Sequence, residues 1–234
     1  MDALWQQWWR LGGIFGIGWV LLFFIGGFAL QGDSPSRTDS IESIRQYFTD
    51  DGDIYLAGDY LLGIAFIFFF LPFVVTLRWV LGSGEGWPPI WSWLSVVGGV
   101  IATIWGGIAG VFWGALAVGA AKNPEVEDTS VRTLMELDIY AFSGLGLPVA
   151  LFIGAASIVI LRTGVMWRWL AALGLISAVL MIIGAAWPID GDEEGAIAIP
   201  GFIGFIGAAL WILISSINLL MRTQEPAPTE RAAA

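Results

Sequence analysis

The chain has 234 residues, of which 57% are hydrophobic and 13% are charged, and its formal net charge is −10. A soluble domain carries about 25% charged residues, so this composition excludes an ordinary soluble protein. The sequence has no Cys and no His, which excludes disulfides, thiol or imidazole catalysis and His-held haem. The acidic balance argues against a nucleic-acid partner, which needs a basic face. We expect no cofactor and no metal site.

Six apolar stretches follow one another along the chain. About 20 apolar residues in a helix span the hydrocarbon core of a bilayer, and in lipid every backbone amide must be satisfied within its own segment. The sequence therefore predicts an all-α, polytopic transmembrane helical bundle of six spans that occupies 1–222. The spans are expected near 11–30, 58–80, 90–119, 137–161, 168–188 and 198–221. The first is predicted to be retained, because its apolar run is too long for a signal peptide.

The loop after the first span has a helical pattern of its own. Asp39 and Glu42 have the spacing of a capping box, and Ile41, Ile44 and Phe48 recur at helical spacing. This pattern predicts a short amphipathic helix in the first outer loop, which either packs at the membrane surface or forms a lid over a cavity. By contrast, 223–234 is polar and rich in Pro, which predicts a disordered cytoplasmic tail.

The charges between the spans divide by sign. The N-terminal tail, the turns at 78–87 and 162–168 and the C-terminal tail hold six Arg and four acids, whereas 32–59, 120–138 and 190–194 hold four basic residues and sixteen acids. Basic residues concentrate on the cytoplasmic side of membrane proteins. The pattern predicts that both termini are cytoplasmic. The nine Arg against one Lys favour a bacterial source, and hence a bacterial cytoplasmic membrane.

The second and fourth spans begin with acids beside tyrosines: Asp59 with Tyr60, and Glu136 and Asp138 with Tyr140. Ionisable residues inside a membrane are candidates for function. If the two spans pack together, these five residues could line an outward-open site for a cation or a proton. The alternative is structural, because acids in the first turn of a helix interact favourably with its dipole and mark the water boundary.

The same two spans each contain an internal proline, Pro72 and Pro148. Proline lacks the backbone N–H and its ring clashes with the preceding turn. We expect each proline to kink its helix and to release a carbonyl from the helical hydrogen-bond ladder.

Small residues recur at small-xxx-small spacing in the third and fourth spans: Gly106, Gly110 and Gly114, and then Gly146, Ala150 and Gly154. Such faces allow helix backbones to approach closely. The spacing predicts helix packing within the monomer, with the seam of a homodimer as the alternative.

The turn between the fourth and fifth spans reads LRTGVMWRWLAALG from 161 to 174. It resembles a motif of the form LRTGxxPRWLxxLG, which is found in uncharacterised bacterial six-helix integral membrane proteins of unknown function. This chain has Trp167 where the motif has Pro. The resemblance implies a fold and a membrane location, and it assigns no catalytic residue.

These observations predict a multi-pass integral membrane protein that is not an enzyme. The role favoured by the sequence is a packing or accessory protein, with the lipid bilayer as its surroundings and a homo-oligomer or another membrane protein as partner. The alternative is a small secondary transporter, or a cation or proton pathway, built on the carboxylates of the second and fourth spans.

Overall fold

The computed structural model describes residues 2–32, 34–36, 38–190 and 196–222. Within these ranges the chain is all-helical and has no strand, which confirms the predicted class. The predicted tail at 223–234 and the acids at 192–194 lie outside the described residues. In chain order the helices are α1 (Asp2–Phe24), α2 (Ile41–Asp50), α3 (Gly52–Ile64), α4 (Leu71–Glu85), α5 (Ile90–Gly114), α6 (Asp128–Thr163), α7 (Arg168–Gly184), α8 (Trp187–Asp190) and α9 (Ala198–Met221).

Three π-helical segments extend or join these helices: Ile25–Leu30 follows α1, Ala65–Phe70 joins α3 to α4, and Ala115–Ala120 follows α5. In the second segment the N–H of Leu71 donates to the carbonyl of Phe66, five residues earlier. This wide turn directly precedes Pro72, the second residue of α4, which has no N–H to donate into the preceding turn of the continuous α3–α4 rod. Pro148, by contrast, lies inside the continuous helix α6.

Five helices of the described chain are long and apolar enough to cross a membrane, by length and composition: Trp8–Leu30, Gly52–Glu85, Ile90–Gly114, Asp128–Thr163 and Ala198–Met221. The fifth predicted span corresponds to α7, which is apolar but has only 17 residues. Its helix ends at Gly184, four residues before the predicted end. The helices of the second and fourth predicted spans, α3 and α6, begin earlier than predicted, at Gly52 and Asp128. They do so because polar first turns continue each helix beyond its apolar stretch.

The long helices form a closed ring in the order α1, α9, α7, α6, α5 and then the α3–α4 rod, which packs against α1 again. One half of this ring is filled by large side chains with little or no exposure, among them Phe73, Phe152, Ile153 and Trp211. Their rings make edge contacts across the bundle, as between Phe152 and Trp211 at 5.8 Å. These packed side chains leave no open space at the centre of the ring in this half.

Glycines allow the closest helix crossings. At Gly98 of α5 a Cβ atom would lie 2.5 Å from the backbone nitrogen of Phe152 in α6, and Gly184 and Gly201 leave no room for a Cβ between α7 and α9. Of the glycines singled out in the sequence, Gly146 and Gly154 face α7, with a Cβ position 3.2 Å from the Met181 carbonyl and 3.5 Å from Ala178 Cβ, respectively. These contacts lie within the monomer.

The glycines of the third span have three different surroundings. A Cβ on Gly106 would lie 3.1 Å from the Phe66 ring, and one on Gly110 would lie 2.7 Å from a carboxylate oxygen of Asp59. A Cβ on Gly114 would meet nothing within 4 Å. The small-residue face therefore adjoins the α3–α4 rod over only part of its length.

One end of the bundle, here called the acidic end, carries α2 and the loop between α5 and α6. Ile44 and Phe48 of α2 are fully buried, and Phe48 contacts Tyr55 and Trp113, with ring centroids 5.5 and 6.0 Å apart. The predicted capping box is wrong: Ser40 is the N-cap and accepts from the Ser43 N–H at 3.1 Å. The Asp39 carboxylate instead accepts from the Ser36 N–H in the preceding turn.

The opposite end, here called the arginine end, carries Arg78, Arg162 and Arg222 beside tryptophans. Arg78 lies 4.6 Å from the centroid of Trp93, and Arg222 donates to the carbonyl of Val165 in the α6–α7 turn. Burial lowers the pKa of the Arg222 guanidinium. Arg162 and Arg222 lie at helix ends, whereas Arg78 lies within α4 and contacts an aromatic ring.

The α6–α7 turn contains a glycine whose backbone conformation favours that residue. Gly164 follows the last residue of α6 with φ of +66°, in the left-handed region that glycine adopts without a steric penalty. Its N–H donates to the Ile160 carbonyl at 2.8 Å and so closes the helix.

Candidate functional site

The half of the ring towards the acidic end is not filled but encloses a cavity of about 860 Å³. Its lining comes from every long helix of the ring. On α6 alone it extends from Met135 to Val149, which is about 20 Å of helix at 1.5 Å per residue. Pockets that hold small organic ligands have volumes of about 300–1,000 Å³, so this cavity has the size of a ligand site.

Two carboxylates from different helices line this cavity. Asp59 projects from α3 and is half-buried, and Asp138 projects from α6 with 2% of its surface exposed. One carboxylate oxygen of Asp138 is buried and has no hydrogen-bond partner in the described part of the chain. Asp138 lies ten residues into α6, about 15 Å from the start of that helix. It is therefore not a first-turn residue that merely marks the end of a helix.

No Lys or Arg is among the described residues that line the cavity. Burying a charge is strongly unfavourable unless the charge is paired. A carboxylate in this position is therefore stable when it is protonated or when a cation lies beside it. The site favours positive ligands and disfavours anions.

Several aromatic rings form part of the cavity wall. Trp19, Phe23 and Phe66 line the cavity and contact one another, with ring centroids 5.1 Å apart for Trp19–Phe23 and 6.0 Å apart for Phe23–Phe66. Phe205 of α9 joins them, 5.1 Å from Phe23. Aromatic faces attract cations, and they also provide a large apolar contact area.

The structure brings together three of the five residues that the sequence suggested for an ion or proton site. Asp59, Asp138 and Tyr60 line the cavity, although Tyr60 is 71% exposed at its rim. Glu136 and Tyr140 are not among the lining residues. They lie on other faces of α6, since residues two positions apart in a helix do not face the same way.

Two lining residues were missed by the sequence reasoning. Tyr55 of α3 is 2% exposed and lies one helical turn before Asp59 on the same face. Gln31, beyond the π-segment Ile25–Leu30, donates to the Tyr55 carbonyl at 3.4 Å. Tyr55 and Asp59 are four residues apart, which places them on one face of a helix, so this signal was present in the sequence.

The structure also shows how room is made for Asp59. Gly110 of α5 lies directly against its carboxylate. On the same helix, Trp105 donates from its indole nitrogen to the Ala141 carbonyl of α6 at 2.6 Å. This bond fixes α5 against α6 at the level of the cavity.

A smaller cavity of about 420 Å³ lies at the arginine end, between Glu85, Trp91 and Arg162. The Glu85 carboxylate there accepts from the N–H groups of Trp91 and Ser92 at 2.7 and 2.9 Å. These bonds satisfy the free N–H groups at the start of α5, which is a structural role.

The part of the chain that the structure describes contains no group of three or more His, Cys, Asp or Glu side chains able to hold a metal ion. No family model, no curated protein and no solved structure matches this chain. The function has to be inferred from the geometry of the cavity.

Proposed function

We propose that this chain is a six-span integral membrane protein of a bacterial cytoplasmic membrane, with α7 as its shortest span and with both termini in the cytoplasm. The segregation of charge supports this orientation. Arg78, Arg162 and Arg222 gather at one end of the bundle, and acidic loops gather at the other. By the preference of basic residues for the cytoplasmic side, the arginine end is inside and the acidic end is outside.

Within that membrane protein, we propose a small secondary transporter or cation/proton pathway that uses Asp59 and Asp138. A single observation carries this proposal: Asp138 is 2% exposed, lines a cavity of about 860 Å³, and has a carboxylate oxygen without a hydrogen-bond partner in the described part of the chain. An ionisable group at such depth in a membrane protein is a candidate for function. This reading is non-enzymatic and requires no cofactor.

The proposed mechanism is an exchange at the carboxylates. In the state described, the cavity adjoins the acidic end, while packed aromatic side chains close the arginine half. A cation that enters displaces a proton from the site, and a proton that returns releases the cation, because a buried carboxylate needs one or the other. Transport additionally requires a second state in which the arginine half opens and the acidic half closes, as in alternating access.

The test is a flux measurement on purified protein in proteoliposomes with an imposed pH gradient. Wild type should show cation-dependent proton movement, and Asp138→Asn should abolish it because the amide cannot exchange a proton. Glu136→Gln is the matched control, since it removes a carboxylate two residues away that does not line the cavity. Wild-type liposomes that show no ion-coupled or proton-coupled flux across a broad panel of cations would remove the proposal.

The packing or accessory role remains the second candidate. It is favoured by the part of α5 where a Cβ on Gly114 would meet nothing within 4 Å, which leaves a small-residue surface for another helix. Gly114→Leu should then weaken self-association in detergent, as measured by light scattering. A wild type that is monomeric at every concentration and co-purifies with no membrane protein would count against this role.

A further inference from the structure

We propose that the ligand of this cavity is a lipophilic organic cation, with its charge beside Asp59 and Asp138 and its apolar body against the aromatic wall. This inference rests on the proposed function, because it names the class of cation that the same site takes. Inorganic cations need several oxygen ligands, whereas most of this cavity presents aromatic and aliphatic carbon.

The sign of the ligand follows from the charged groups that line the site. Asp59 and Asp138 are its ionisable acids, Tyr55 and Tyr60 add hydroxyl groups, and no described Lys or Arg lines it. One buried oxygen of Asp138 has no hydrogen-bond partner among the described residues, which indicates that something positive, or a proton, completes the site. An anionic ligand would meet no compensating charge from the residues that are described in the lining.

The apolar body of the ligand follows from the depth of the cavity. The cavity continues beyond the carboxylates along α6 to Val149, and there Trp19, Phe23 and Phe66 form its wall. A small hydrated ion would leave this surface uncovered. A ligand with an apolar or aromatic body would bury it, and each aromatic face near the charge would add cation–π attraction.

The route of entry also favours a lipid-soluble ligand. Gly63 of α3 and Gly107 of α5 line the cavity, and a Cβ on either would meet no atom within 4 Å. Phe68, which lines the same region, is 63% exposed. The cavity therefore reaches the lateral surface of the bundle between α3 and α5, where the surroundings are lipid. A lipophilic cation dissolved in the bilayer could enter there.

The experiment measures binding of tetraphenylphosphonium to the full chain in lipid nanodiscs, with tetraphenylborate as the matched ion of opposite charge. Both ions have nearly the same shape and apolar surface, but the dipole potential of the bilayer makes lipid take them up differently, so uptake by empty nanodiscs is subtracted for each ion. After this subtraction we expect saturable binding of the cation and no saturable binding of the anion. Asp138→Asn should weaken cation binding at least tenfold, and Glu136→Gln should leave it unchanged.

A second variant keeps the test decisive if Asp138→Asn does not fold. Gly63→Leu leaves both carboxylates in place and adds a side chain to the lateral opening, where the structure has space for it. It should also weaken binding of the cation at least tenfold. Equal saturable binding of the borate anion, unchanged binding of the phosphonium in Gly63→Leu, or no saturable binding of the phosphonium to wild type would each overturn the inference.

The inference and the proposed function can fail separately. Proton-coupled flux of a small cation that depends on Asp138, without binding of tetraphenylphosphonium, would overturn the ligand class and leave the pathway intact. Saturable, Asp138-dependent binding without any flux would support the ligand class and remove transport.

Discussion

Gly110 and Asp59 form the closest contact between the small-residue face of α5 and the proposed site. A Cβ on Gly110 would lie 2.7 Å from Oδ1 of Asp59 and 3.4 Å from its Cγ, closer than real Cβ contacts. The glycine thus determines where the carboxylate lies. The backbone conformation of α5 is helical at this position, so glycine is needed here for its size and not for its dihedral freedom.

Gly110→Ala should therefore displace the Asp59 carboxylate and cost about 0.5–1.5 kcal/mol, the range for moving a side chain away from its rotamer, because the contacted atoms are the end of a side chain. Thermal unfolding in detergent measures the change. Gly114→Ala is the matched control on the same helix face, because its Cβ would meet nothing within 4 Å. Alanine there should be neutral or stabilising by about 0.5–1 kcal/mol through helix propensity. Equal effects of the two substitutions would show that the carboxylate is not in contact with α5.

Arg45→Ala should loosen the acidic end. The Arg45 guanidinium donates to the carbonyls of Ala121 and Asn123 at 3.3 and 3.1 Å and pairs with Asp128 at 2.9 Å. Hydrogen bonds to a charged group contribute about 1.5–3 kcal/mol each. We expect faster amide hydrogen exchange throughout 121–128 and a lower unfolding temperature.

Lys122→Ala is the control for Arg45→Ala, since it removes a cation from the same loop. The Lys122 ammonium makes a 2.7 Å pair with Asp53, whose side chain is 92% exposed. Exposed pairs contribute little, so exchange and unfolding temperature should stay near the wild-type values. A decrease in unfolding temperature as large as that of Arg45→Ala would mean that net charge, and not the hydrogen bonds to the loop carbonyls, stabilises this end.

Phe48→Ala should detach α2 from the bundle. Phe48 is fully buried and contacts Tyr55 and Trp113. Removing a buried Phe side chain lowers the free energy of unfolding by about 3–5 kcal/mol. A helix of about ten residues is only marginally stable by itself and cannot make up for this loss. Limited proteolysis should then cut within 41–50. Ser43→Ala, on the exposed face of the same helix, should leave the segment resistant, and cleavage in both variants would argue against a packed α2.

The orientation is open to direct labelling because the chain has no Cys. A cysteine in place of Glu125 lies at the acidic end, and one in place of Ser83 lies at the arginine end; both residues are exposed. In intact cells a membrane-impermeant maleimide should label the Glu125→Cys protein and should label Ser83→Cys only after permeabilisation. The reverse pattern would invert the proposed topology.

The sequence predicted the class of fold because apolar runs of about 20 residues have few alternatives in a membrane. It also proposed Asp59 and Asp138, together with Glu136, Tyr60 and Tyr140, as site candidates, because acids at the beginnings of two spans could meet if the spans pack together. It could not separate Asp138 from Glu136, because which face of α6 meets the cavity depends on how α5 and α7 pack against it. Tyr55 was missed because the predicted span began at 58, whereas the helix begins at Gly52.

The wide turn at Ala65–Phe70 has a consequence for how this chain tolerates changes in length. A π-turn closes its bonds five residues back instead of four, so it holds one residue more than an α-turn. Deleting one residue from 65–70 would let the segment rewind as α-helix while Asp59 kept its direction. Deleting one residue between Asp59 and Ile64 would swing that carboxylate by about 100° around the rod. The two deletions differ by only a few positions, yet the first spares the cation site and the second removes one of its two charges.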